Sequence, residues 1–291
     1  MKKILFTFLI SVIALVYVRA QSENSLLYKV ESPSGKISYL FGTYHLINSG
    51  FVESRDRIYQ AFQNADQVVV ETVIDSSKLM QFSMKMMMQE QSLPDLLDTS
   101  EYNMVSEEFE RVVGMNLGLF NTMKPMAVNT TYIAALYMNN LPEAAKFEGK
   151  PMDLYFASKG KQNGAEVIAL ESMMEQADLL FGSQTIEEQA EDLVELMEDK
   201  EEALKMSRSL TEAYLSENLP QLSEISRESE QNYGDMTVLL DERNQNWMGT
   251  LKKVTDEGNA FIAVGALHLT GDNGLISLLE KAGYKVSAVM P

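Results

Sequence analysis

Ser38-Tyr39-Leu40-Phe41-Gly42-Thr43-Tyr44-His45 and Phe261-Ile262-Ala263-Val264-Gly265-Ala266-Leu267-His268 decide the reading of this chain. Each is an apolar strand pattern ending in Gly-x-x-His, followed by a helix and then, about twenty residues on, by another strand. Both histidines of the 291-residue chain fall in this pattern. It reads as a β-loop-α-β unit used twice. Glycine permits the positive φ or the close backbone approach needed to leave a strand sharply. The imidazole then stands at the carboxyl edge of the sheet, where α/β folds place ligands.

Two further strand patterns, both read as buried, end in carboxylates, Val68-Val69-Val70-Glu71 and Val167-Ile168-Ala169-Leu170-Glu171. If these strands run parallel to the first two, His45, His268, Glu71 and Glu171 converge on one edge. Such a cluster suits Zn²⁺, Mn²⁺ or Co²⁺, and an ion of this kind can activate water for hydrolysis. Taken singly, a strand-terminal glutamate also serves as a cap or ion-pair partner, and a lone histidine as a satisfied core group. Arg243, in Asp241-Glu242-Arg243-Asn244, carries a permanent charge suited to a substrate carboxylate or an oxyanion, or to a surface pair on a helix. No Gly-x-Ser-x-Gly, P-loop or dinucleotide-binding glycine pattern occurs.

Outward from these motifs, Leu26 to Glu31 and Ile37 to Phe41 read as an antiparallel pair across a Ser32–Lys36 turn. The last strand is expected over Tyr284 to Met290. Helical insertions are expected near 75–150 and 183–245, the second opening on a Thr185/Glu188 capping box. Met80, Met84, Met87 and Met88 share a helix face, which reads as core or groove lining, or as a soft copper site. The expected class is α/β: a mixed central sheet built from the two repeats, in one domain over residues 21–291. The composition, 45% apolar and 23% charged, is that of a folded chain, and the net charge of −18 disfavours nucleic acid and anionic membrane as partners. Without cysteine, thiolate metal sites, disulfides and a cysteine nucleophile are excluded.

Met1-Lys2-Lys3, the uncharged run Ile4 to Val18, and Val18-Arg19-Ala20 have the order of a secretory signal peptide cleaved after Ala20. Fifteen helical residues span about 22 Å, short of a bilayer core of about 30 Å. An uncleaved anchor is the alternative, and a lipoprotein anchor is excluded because no cysteine follows. The expected location is the periplasm or the exterior, with no stable membrane span after cleavage.

The chain resembles the TraB/GumN family, whose animal relatives are the Tiki metalloproteases. The matching residues are Tyr39-Leu40-Phe41-Gly42-Thr43-Tyr44-His45, Val70-Glu71, Met152-Asp153, Leu170-Glu171-Ser172 with Gln176, Arg243-Asn244, and Val264 through Leu275 with Gly283-Tyr284-Lys285-Val286. A serine stands where Leu-Glu-Thr is usual. The resemblance implies an α/β core shared with erythromycin esterase-like and ChaN-like proteins, with His45, Glu71, Glu171, Arg243 and His268 lining the site. It implies a divalent-metal protease, typically using Mn or Co. In our reading of the residues, His45 and His268 hold the ion with Glu171, Glu71 and Arg243 act in catalysis, and Asn244 and Gln176 face a peptide or small-molecule substrate; sequence alone leaves open which of Glu71 and Glu171 is ligand and which is base. Two alternatives stand beside it: a metal-independent esterase-type hydrolase with a histidine base, and a non-catalytic peptide- or haem-binding protein. Oligomeric state leaves no trace in the sequence.

Overall fold

β1 (Leu27–Glu31) and β2 (Ile37–Thr43) form the expected antiparallel hairpin, in register from Leu27 opposite Phe41 to Glu31 opposite Ile37. Its turn closes through Ser32 and Lys36, with Gly35 at φ +81°. The computed structural model describes residues 24–233 and 239–291, with backbone alone for 229–233. The expected signal peptide lies outside the described residues. Four further strands, β3 (Gln67–Val70), β4 (Glu166–Ala169), β5 (Ala260–Gly265) and β6 (Lys285–Ala288), complete a sheet of order β4-β3-β5-β2-β1-β6. β4, β3, β5 and β2 are mutually parallel, while β1 runs against both β2 and β6. The class is therefore α/β with a mixed sheet. β6 has the sense of β5, so each Gly-x-x-His strand leads through a helix to a strand of its own direction. The two halves share one connection, as the repeat required.

Two details depart from the sequence reading. β2 does not break at Gly42; it runs on to Thr43, with Gly42 opposite Val264 of β5. Neither motif glycine has positive φ among the described residues. What Gly42 supplies is room, since a Cβ there would lie 2.9 Å from the Ala266 Cα and 3.0 Å from its Cβ. Gly42→Ala should therefore cost about 1–3 kcal/mol of unfolding free energy in urea, because backbone cannot step aside as a flexible side chain can. β4, read as buried, is instead the edge strand, with Val167 and Ile168 half covered and Glu166 and Ala169 exposed. A short apolar run does not reveal whether its strand has neighbours on both sides.

The sheet buries its faces under helices on either side. Phe41, Phe62, Phe156 and Phe261 interlock with ring centroids 5.0–5.9 Å apart, edge-on or tilted for the most part. The helix Met152–Gln162 comes so close to β3 that a Cβ on Gly160 would lie 2.9 Å from Val68 Cγ2. That approach fixes where Asp153, in its first turn, can stand.

The two insertions pack on each other as a second apolar cluster, around Phe109, Tyr132, Leu136 and Leu193. Buried Glu108 ties three of its helices: it accepts from Arg111 Nε at 2.9 Å, Lys200 Nζ at 2.7 Å and the Tyr132 hydroxyl at 2.8 Å. Burial opposes its ionisation, but the bonds to Arg111, Lys200 and Tyr132 outweigh that and hold its pKa down at about 2. The folded value lies below the unfolded one, so this stabilisation is present above about pH 4.5 and drains away as pH falls through about 2. Acid unfolding of Glu108→Gln should lack that component, which a urea midpoint measured at pH 7 and again at pH 3 reads. The helix Leu79–Lys85 buries none of its residues; Met80 and Met84 are largely exposed, and Met84, Met87 and Met88 line an open hollow. The methionine stripe is groove lining rather than core.

Candidate active site

Because β2, β3, β4 and β5 are parallel, their carboxyl ends meet on one edge. Glu71 follows directly on β3, Glu171 lies two residues past β4, His45 two past β2, and His268 within a 3₁₀ turn (Ala266–Leu269) after β5. The main chain holds the first pair in step: the Glu171 N–H donates to the Glu71 carbonyl at 2.9 Å. Gly265 has a second use here. Its N–H donates to Glu71 Oε1 at 2.7 Å, and a Cβ on it would press on that same oxygen at 3.3 Å.

Into this edge the helix Asp241–Glu257 inserts Arg243, Asn244 and Trp247, which the i, i+1, i+4 spacing puts on one face. Every N–H of the Arg243 guanidinium is used. Nε and Nη2 chelate Glu171 at 3.0 and 2.7 Å, Nη2 also donates to Glu71 Oε2 at 2.5 Å, and Nη1 donates to His268 Nε2 at 3.0 Å and to the Leu239 carbonyl at 3.1 Å. Trp247 lies under the guanidinium at 4.7 Å and against the His268 ring at 4.5 Å. Arg243 has no N–H left over for a ligand. Its part is to hold two carboxylates and one imidazole in place.

An arginine can only donate, so His268 Nε2 must be the acceptor and the proton must sit on Nδ1. Nδ1–H then donates to Asn244 Oδ1 at 2.8 Å, while Asn244 Nδ2 donates back to the His268 and Asn273 carbonyls at 3.1 and 2.9 Å. The amide of Asn244 is thereby spent on His268. Burial pushes the His268 pKa down, the charges of Arg243 and His45 add to it, and Glu71 only partly opposes them, leaving it at about 4. His268 is neutral at pH 7.

His45 has the same motif and the opposite state. Its side chain is 71% exposed, and Nδ1 sits 2.9 Å from Asp153 Oδ2. Asp153 is set by Pro151 and the first turn of its helix, where a carboxylate meets the positive end of the dipole, and Thr43 Oγ1 steadies its other oxygen at 3.4 Å. The Asp153 hydrogen bond, helped by the Asp153 and Glu71 charges, outweighs desolvation and Arg243 and raises the His45 pKa to about 9. His45 is an imidazolium at pH 7. For Glu71 burial works upward, and His268, Arg243, the Gly265 N–H and His45 together bring it below the ordinary value.

Asp153 and Trp247 are the functional neighbours that sequence reasoning left out of the site. A carboxylate in the first turn after Pro151, and the one tryptophan four residues after Arg243, were their signals. Gln176 sits half buried in the helix Met173–Gly182, and among the described residues no hydrogen bond joins its side chain to the cluster. Ser172 caps that helix, its Oγ accepting from the Glu175 N–H at 3.1 Å.

As a donor set for a divalent ion, His268 Nε2, Glu71 and Glu171 are right in kind. Their lone pairs face Arg243, however, and among the described residues no three His, Asp or Glu side chains are disposed as ligands around an open position. In this arrangement the cluster does not fit an ion. A hollow of about 250 Å³ opens beside it, bounded by Leu240, Leu267 and Asn273 and lined by Ser223 and Arg227.

The chain belongs to the TraB/PrgY/gumN family, whose sequence pattern it matches over residues 26–288. Neither a curated protein nor a solved structure matches it.

Proposed function

We propose that this member of the TraB/PrgY/gumN family is a hydrolase of peptide or ester bonds, working with a carboxylate base and an imidazolium acid. The observation that carries the reading is the pairing of two groups on one sheet edge: His45 Nδ1 faces the Asp153 carboxylate, and Glu71 faces the Arg243 guanidinium. Groups whose environments drive their pKa values apart mark the acid and base assignments of a site. Glu71, ionised at neutral pH, has Oε1 committed to a single N–H and takes a proton from water as the oxygen adds to the substrate carbonyl. His45 gives its Nε2 proton to the departing nitrogen or oxygen, and Asp153 holds the ring and stabilises its charge before transfer. Arg243 keeps Glu71 aimed without touching substrate. Glu171 is held by that guanidinium in a two-point chelate, whereas the Glu71 charge reaches His45, which favours Glu71 as the base.

No step is routed through a divalent ion, because Arg243 has the lone pairs such an ion would need. The order of residues 1–20 supports action in the periplasm or outside the cell. Among the described residues, no helix is long and apolar enough to cross a membrane.

The test is a mixed library of peptides and carboxylic esters, run with the wild type and His45→Ala. Hydrolysis that falls about 10²–10⁴-fold in the variant supports the assignment. His45 is exposed, so its loss leaves no cavity, and any fall in the thermal midpoint should be confined to pH below about 9, where the Asp153 pair is intact. A wild type inert toward both classes, or a variant with full activity, overturns it.

A further inference from the structure

We propose that the Arg243 guanidinium is the resident cation of the Glu71–Glu171–His268 pocket, and that it and a divalent metal ion exclude one another there. Nη2 lies 2.5 Å from Glu71 Oε2 and 2.7 Å from Glu171 Oε1, and Nη1 lies 3.0 Å from His268 Nε2. An ion bridging those three donors would have to stand where the guanidinium edge stands. The pocket is built around the guanidinium and not merely open to it. Asn244 locks His268 in the tautomer that points Nε2 at Arg243, Trp247 covers one face, and the Leu239 carbonyl takes the last N–H.

An arginine also cannot release the pocket by losing its proton at any pH where the protein is folded. A lysine could. The native site is thus a metal-free ion-pair centre, and taking the charge off residue 243 turns the same three side chains into a divalent-ion site. The inference concerns binding alone and shares with the hydrolase reading only the premise that Arg243 holds these lone pairs.

Co²⁺ is the probe, because its visible absorption reports ligand number and because a Co²⁺ ion on His268 would quench Trp247, the chain's one tryptophan, whose ring centroid lies 4.5 Å from that of His268. The full chain, Arg243→Met, Arg243→Lys and Arg243→Met/His268→Ala are compared by equilibrium dialysis, absorption and fluorescence. The wild type and Arg243→Lys should stay well below one ion per chain. Arg243→Met should take up about one, at least about tenfold more tightly, with quenched Trp247 emission and a thermal midpoint that falls without Co²⁺ and recovers with it. The His268 change should abolish that gain.

A wild type that binds one Co²⁺ per chain with loss of Trp247 emission, both removed by His268→Ala, overturns the proposal without reference to any Arg243 variant. So does a folded Arg243→Met that binds no better than the wild type. Should Arg243→Met not fold, Arg243→Gln, which keeps two N–H donors for the carboxylates, takes its place in the comparison.

Discussion

Replacing Asp153 by asparagine is expected to bring the alkaline limb of the rate–pH profile down from about 9 toward the ordinary imidazole value near 6.5. The wild-type rate should be flat across neutral pH and fall as His45 loses its proton near 9. The acid limb should lie below the ordinary glutamate range, because Glu71 is held ionised. Asparagine keeps the shape of the contact and removes the charge. The imidazolium then loses its main support, and at pH 8 the variant should retain little of the acid form. Its maximal rate should survive better at pH 6 than that of His45→Ala, which lacks the acid at every pH and should be lower by about 10²–10⁴. The stability linkage has the same sign. The folded His45 value is raised, so its contribution is complete below about 6.5 and is lost as pH rises through about 9. An Asp153→Asn profile that overlays the wild type would detach His45 from the chemistry.

The second large effect is on stability. Arg243→Ala leaves Glu71 and Glu171, with side chains 7% and 10% exposed, facing each other across an emptied pocket. Removing one partner of a buried ion pair costs about 3–5 kcal/mol, and here a single change strands two carboxylates. The loss in urea unfolding should be larger at pH 8 than at pH 5, since protonation relieves buried negative charge. Adding Glu71→Gln and Glu171→Gln to Arg243→Ala should recover part of the loss, because neutral amides pay far less for burial. A loss under about 1 kcal/mol, the range of an exposed pair, would place Arg243 at the surface rather than at the centre.

Much of this was legible in the residues. The β-branched run of β3 and the Ser32–Lys36 turn between β1 and β2 identified strands. Parallel direction then sufficed to bring His45, Glu71, Glu171 and His268 to one edge. The place of β4 at the end of the sheet was not legible, because strand order is decided by which helices pack where.

The partners of Arg243 were hidden for a similar reason. Its helix docks through Trp247 and Asn244, and side chains 72 and 172 residues away in sequence complete its bonding. The divergence of the two histidines was the least visible feature of all. Identical Gly-x-x-His motifs give no hint that one imidazole faces a carboxylate 108 residues away while the other faces a guanidinium.

That divergence is also the quantity to measure first. The chain has only two histidines, so an NMR titration of ¹³C/¹⁵N-labelled histidine side chains in the wild type yields two curves, assigned with His45→Ala. His45 should titrate near 9, and His268 should keep its Nδ1–H tautomer until about pH 4. Two curves titrating together near 6.5 would contradict the account, because neither the Asp153 pairing nor the Arg243 clamp would then govern the site.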